Sequence, residues 1–175
     1  MPEIIMESKN LIYTKVSLEL IDDYLMMVND KEVQQFIYKE PKLFTYEDEK
    51  DWVLKKLNNN VLIFSILEKV TNKFVGNFEF IDLTENSSEL GLSITPKMQN
   101  KHYGTEIIKT MVDYAFNMLK LKTLYLGVFS NNERGIYLYK KLGFTEYDRT
   151  PNYVSINGQS VDNIQMKLER IKNIG

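Results

Sequence analysis

The chain has 175 residues, of which 43% are hydrophobic and 26% charged, with no cysteine and one histidine. That length suits a single domain, residues 1–175, burying roughly 70% of its unfolded surface, and the missing thiols exclude disulfides, thiolate nucleophiles, zinc fingers and iron–sulfur clusters. A formal net charge of −2 argues against generic nucleic-acid binding. No apolar run reaches the roughly 18 residues of a membrane span. The start, MPEIIMESKN, lacks a basic region before an apolar stretch, so no signal peptide is expected and a cytoplasmic location is. Charge is uneven: residues 1–100 hold 11 lysines against 17 acids, and residues 101–175 hold 11 basic against 7 acidic residues. An acidic half suits a cationic partner and a basic half an anionic one, although solvated faces of differing sign give the same pattern.

Residues 11–16 (LIYTKV) are β-branched and aromatic and predict a first strand. Ser17 can cap a helix over 18–28, with Leu18, Ile21, Leu25 and Val28 on one face. A short helix is expected near 31–38. Thr45-Tyr46-Glu47-Asp48 resembles a capping box and opens a helix to about Leu57, with Trp52, Val53 and Leu57 inward. Three strands follow as a meander, 61–68, 74–82 and 89–94. In the last of them Leu90, Leu92 and Ile94 share one face, and Glu89, Gly91 and Ser93 the other. A helix over 103–119 carries an apolar stripe of Ile107, Ile108, Met111, Val112, Ala115, Met118 and Leu119. TLYLGVF (123–129) reads as a strand buried on both faces. Asn132 starts a helix that Gly143 ends. Strands 144–147, 153–156 and 161–168 follow, with an Asn157-Gly158 hairpin signal. The whole predicts an α/β fold: a mixed, mostly antiparallel sheet of about seven strands with flanking helices.

The stretch from Pro96 to Glu106 joins a strand directly to a helix. Helix N-termini present unpaired N–H groups and partial positive charge, so such a loop can cradle phosphate. Lys97, Lys101 and the amides from Gln99 to Thr105 are placed to do so. An ordinary connection with surface lysines accounts for the same residues.

Gln99-Asn100-Lys101-His102-Tyr103-Gly104, followed by Thr105-Glu106, resembles the acyl-CoA pyrophosphate loop of the GNAT superfamily of N-acetyltransferases. One position departs from the pattern, since His102 stands where that signature carries its first glycine. Histidine is among the side chains enriched at positive φ, so the loop geometry can survive. A second stretch, Asn132-Glu133-Arg134-Gly135-Ile136-Tyr137-Leu138-Tyr139-Lys140-Lys141-Leu142-Gly143-Phe144, resembles the family's Asn-x-Arg-Ala-Ile-x-Leu-Tyr-x-Lys-x-Gly-Phe, with Gly135 for the alanine. The resemblance covers nearly the whole chain and is nearest to the branch of ribosomal-protein alanine and polyamine acetyltransferases.

The resemblance implies a GNAT-like fold with one parallel strand pair, and acetyl transfer from acetyl-CoA to a primary amine without a metal. It implies cofactor contacts from Leu92, Ser93 and Ile94, from Gln99 through Thr105 (His102 and Tyr103 included), and from Asn132 on the pantetheine arm. A backbone N–H within Leu92–Ile94 would serve the oxyanion, a donor worth about 3–4 kcal/mol. Tyr139 would protonate the leaving thiolate. Glu89 is the carboxylate expected in the acceptor pocket, with Glu79 the second candidate. Each also has a plain reading: Asn132 as a helix cap, Tyr139 as core, Glu89 as a solvated acid. The acceptor expected is a small polyamine. A protein N-terminus is the alternative acceptor, and a non-catalytic acyl-CoA-binding domain is the alternative to an enzyme. No nucleic-acid or membrane partner is expected, and a homo-oligomer is allowed.

Overall fold

The computed structural model describes residues 1–171. Eight strands form: β1 (Ile4–Glu7), β2 (Leu11–Thr14), β3 (Ile63–Glu68), β4 (Phe74–Ile81), β5 (Ser87–Ile94), β6 (Thr123–Phe129), β7 (Thr145–Ile156) and β8 (Gln159–Glu169). Five helices accompany them: α1 (Ile21–Val28), α2 (Lys31–Gln34), α3 (Tyr46–Asn58), α4 (Tyr103–Asp113) and α5 (Glu133–Lys141). Hydrogen-bonded neighbours run β1-β2-β3-β4-β5-β6-β8-β7. This is the expected mixed sheet, with β5 and β6 the parallel pair and eight strands where about seven were expected. Among the described residues no helix is long and apolar enough to cross a membrane.

The chain divides into two compact units. The first comprises Met1–Phe80 and Gly91–Gly104, and the second Ile81–Leu90 and the chain from Thr105. In the first unit, β2 and β3 pair antiparallel, as do β3 and β4. Ile12, Ile21, Tyr24, Met27, Val53, Leu67 and Phe74 make its core. Tyr24 stacks edge-on against Trp52 and Phe74, and its hydroxyl lies 2.6 Å from that of Ser65, so the buried phenol is satisfied. The capping box forms as expected: Thr45 accepts from the Asp48 amide at 3.2 Å, and Asp48 accepts from the Thr45 amide at 2.8 Å.

Three expectations in this unit are corrected. The expected first strand, 11–16, is the second, β2, because residues 4–7 form an exposed edge strand too short to show a period-2 pattern. Leu18 is exposed because Leu18–Leu20 is a 3-10 turn, whose 120° step puts it out of phase with α1. Leu57, in the last turn of α3, also faces solvent.

In the second unit, β6 pairs with β8 and β8 with β7, both antiparallel. Ile107, Ile108, Met111 and Ala115 are buried. Met118, expected in the same stripe, is exposed. The helix passes into a π turn over Tyr114–Met118, with the Leu119 amide bonded to the Tyr114 carbonyl at 3.0 Å, and the wider turn rotates the stripe away. β6 is also corrected. Leu124, Leu126 and Val128 are buried, but Tyr125 is half-buried and Gly127 exposed, so one face stays open. The expected strands 144–147 and 153–156 are one strand, β7, with irregularities at Glu146/Asp148 and Thr150/Val154 that admit Pro151. The hairpin turn forms as expected, with Asn157 and Gly158 at φ 51° and 77°.

Candidate active site

The sequence-predicted residues divide between the units. Leu92, Ser93, Ile94 and Gln99–Gly104 belong to the first, and Glu89, Thr105, Asn132 and Tyr139 to the second.

In the first unit, Leu92, Ser93 and Ile94 end β5, all half-buried. β4 passes them closely at Gly76, where a Cβ would stand 2.0 Å from the Ser93 carbonyl oxygen; only glycine fits there. The chain then turns through Pro96–Met98, anchored by the buried Met98 and by the Thr95 amide on the Val75 carbonyl at 2.9 Å. The Gln99 side-chain amide donates back to the Ile94 carbonyl at 3.0 Å, which closes the loop on the strand it leaves. Asn100 and His102 both adopt φ 64°. An ordinary side chain loses about 1–2 kcal/mol there, and Asn and His are among the residues that tolerate it best. Residues in the left-handed region on either side of Lys101 make the kind of turn whose backbone amides can bind an anion, and α4 begins directly after it at Tyr103. Lys97, Lys101 and His102 are exposed. These features fit a bound pyrophosphate.

The loop is also held from outside, by a residue that the sequence does not single out. Glu68, buried at the end of β3, accepts from the Tyr103 hydroxyl at 2.5 Å and the Thr71 hydroxyl at 2.8 Å, and lies 3.5 Å from the Lys101 ammonium. Those three, the Tyr103 bond foremost, hold its carboxyl below the usual glutamate range. Glu79, the second acceptor candidate, is engaged elsewhere: Lys56 of α3 pairs with it at 2.6 Å.

In the second unit, Asn132 caps α5, its Oδ1 accepting from the Gly135 amide at 2.9 Å. A Cβ at position 135 would stand 2.7 Å from Asn132 Nδ2, so glycine in place of alanine lets the carboxamide fold over the first turn. Next to it, Asn131 Oδ1 is buried with no hydrogen-bond partner among the described residues. Tyr139 packs edge-on against Phe144 at 6.0 Å. Burial pushes its phenol up to about 12, so it stays protonated throughout the physiological range.

Glu89 lines a cavity of about 290 Å³ with Asp82, Ser87, Tyr125, Tyr147 and Gln165. The β5–β6 register sets Glu89 beside Tyr125, and the Tyr125 and Tyr147 rings meet edge-on at 5.7 Å. Burial first, then the Asp82 charge, raises the Glu89 carboxyl. The Lys167 ammonium lies 5.8 Å from the Tyr147 ring centre and pairs with Glu169 at 3.4 Å. Asp82, Tyr125 and Tyr147 are not apparent as site residues in the sequence, because strand register alone brings them to Glu89.

Residues 10–145 match the acetyltransferase (GNAT) domain family. The chain therefore belongs to the GNAT acetyltransferase family and is an acetyltransferase. It is 25% identical to the spermidine N(1)-acetyltransferase of Vibrio cholerae over 146 residues, covering 82% of this chain and 84% of that protein. It is 27% identical to the acetyltransferase PseH of Campylobacter jejuni over 144 residues, covering 82% and 88%. In fold it is similar to the crystal structure of the Vibrio cholerae spermidine N-acetyltransferase in complex with CoA and spermine, with a TM-score of 0.83, 22% identity, and coverage of 93% and 96%.

Proposed function

We propose that the protein transfers acetyl from acetyl-CoA directly to a primary amine of a small polyamine, in a ternary complex. The acceptor rests on one observation, the cavity in which two carboxylates and two tyrosine rings stand together. Carboxylates and aromatic faces are the groups that take an alkylammonium. The spermidine acetyltransferases among the relatives support the same acceptor.

The amides of Gln99 to Thr105, with Lys97, serve the pyrophosphate. Asn132 Nδ2 serves the pantetheine arm, and backbone N–H groups within Leu92–Ile94 serve the acetyl carbonyl. Bound acetyl-CoA supplies an activated thioester with a thiol leaving group. An alkylammonium of pKa ~10.4 is free amine in only about one molecule in a thousand near pH 7.4. Glu89, made more basic by burial, accepts the proton that the ammonium must lose. Tyr139 holds the proton due at the sulfur. The enzyme works in the cytoplasm.

The test is a thermal-shift titration with acetyl-CoA, then thiol release against spermine, spermidine, an aminoglycoside, an amino acid and an Ala-starting peptide. Acetyl-CoA at about 100 times its Kd adds roughly 2.7 kcal/mol of stability. Release with the polyamines is expected. Release confined to the peptide overturns the acceptor in favour of a protein N-terminus. Stabilisation without release from any amine leaves an acyl-CoA-binding domain.

A further inference from the structure

We infer that Glu68 is a positioning residue of the donor site: its carboxylate clasps the loop from Gln99 to Gly104 in the shape that receives a pyrophosphate. The inference rests on the reading of that loop as the pyrophosphate site.

Glu68 is a fixed post. Its backbone is tied on both sides of the β3–β4 turn, the amide to the Lys73 carbonyl and the carbonyl to the Asn72 amide, each at 2.8 Å. Its side chain is 11% exposed, and a carboxylate so enclosed is stable only when its oxygens are hydrogen-bonded. One oxygen takes the Thr71 hydroxyl of the same turn. The other takes the Tyr103 phenol at 2.5 Å and faces the Lys101 ammonium at 3.5 Å. Thr71 therefore holds the carboxylate, and the carboxylate holds the loop.

The points of attachment are the ones that matter for an anion site. Tyr103 is the first residue of α4, so its phenol fixes the chain where the loop passes into the helix. Lys101 lies between the two positive-φ residues Asn100 and His102, a conformation that an untethered chain would leave. Lys101 also neutralises the carboxylate, which would otherwise repel a pyrophosphate nearby. The structure thus assigns Lys101 to the clasp, and leaves phosphate contact to the loop amides and Lys97.

The experiment uses the full chain with Tyr103→Phe, Glu68→Gln and Glu68→Ala. CoA affinity is measured by calorimetry, steady-state rates with acetyl-CoA and spermidine, and thermal unfolding without ligand. Tyr103→Phe and Glu68→Ala should raise the CoA Kd and the acetyl-CoA KM about tenfold, the size of one charge-assisted hydrogen bond. Saturated kcat and the amine KM should stay within about twofold. Glu68→Gln keeps an acceptor for the phenol and should recover part of the affinity. Unchanged CoA affinity in both Tyr103→Phe and Glu68→Ala overturns the clasp, as does a fall in kcat with affinity retained. If Glu68→Ala does not fold, Tyr103→Phe, which keeps the ring, decides alone. Wild-type protein that binds no CoA overturns the loop reading itself, a result distinct from either.

Discussion

Replacing Tyr139 with phenylalanine removes one oxygen and keeps the ring that packs on Phe144 at 6.0 Å. The hydroxyl makes no hydrogen bond among the described residues, and burial alone accounts for its raised pKa of about 12. Tyr139 is half-buried, and losing a hydroxyl that bonds to no protein group forfeits no internal hydrogen bond, so stability should change by no more than about 1 kcal/mol. That corresponds to at most about 2–4 °C in Tm for a chain of this size. The rate should behave differently. A positioned general acid contributes about 10²–10⁴-fold, equal to about 2.7–5.4 kcal/mol of barrier. Tyr139→Phe should therefore lower kcat at least about a hundredfold in thiol release with saturating spermidine, while the CoA Kd by calorimetry stays within about twofold. A phenol at about 12 keeps its proton across the usable assay range, so wild-type kcat should show no falling alkaline limb from Tyr139 below about pH 10. A Tyr139→Phe variant within threefold of wild-type kcat, folded and binding CoA normally, would refute the assignment.

Glu89→Gln should raise the spermidine KM and lower kcat, and it also changes stability in a defined direction. Burial and Asp82 raise the Glu89 carboxyl above its unfolded value, so ionising it costs folded-state stability as pH rises through the folded pKa. The variant should melt above wild type near about pH 7 and lose that margin towards about pH 4; a margin that does not change with pH contradicts this. Gly76→Ala sets a Cβ 2.0 Å from the Ser93 carbonyl, and should cost about 1–3 kcal/mol in urea unfolding; a neutral result would mean that β5 yields freely there. Gly135→Ala gains up to about 1 kcal/mol of helix propensity but displaces the Asn132 cap, worth about 1 kcal/mol. Its Tm should barely move while CoA affinity falls several-fold by calorimetry, and unchanged affinity would remove Asn132 from the pantetheine contact.

Much of the site is legible from local chemistry. The Thr45–Asp48 box and the Asn132 cap form within four residues of chain, so the residues that signal them are the residues that make them. His102 at positive φ likewise follows from its place between a strand end and a helix start. Where the helical step changes, as in the 3-10 turn at Leu18 and the π turn before Met118, counting residues around a regular helix misplaces the side chains. Edge strands fail for another reason. β1 and β7 expose most of their side chains, so they carry no alternation to read.

The sequence by itself determined most of the elements from β2 to α5, the strand–loop–helix that opens α4, and the motif on α5, because hydrophobic period, capping and turn chemistry act over a few residues. Tertiary structure alone decided which carboxylates are available and what they face. Glu79 is consumed by Lys56 from 23 residues away, and Glu68 reaches Tyr103 across 35. Glu89 meets Tyr125 because β5 and β6 lie parallel in one register. A carboxylate's chemistry depends on which charges, hydroxyls and rings surround it and how far water is excluded, and strand register and packing, set by contacts far apart in the chain, decide those surroundings.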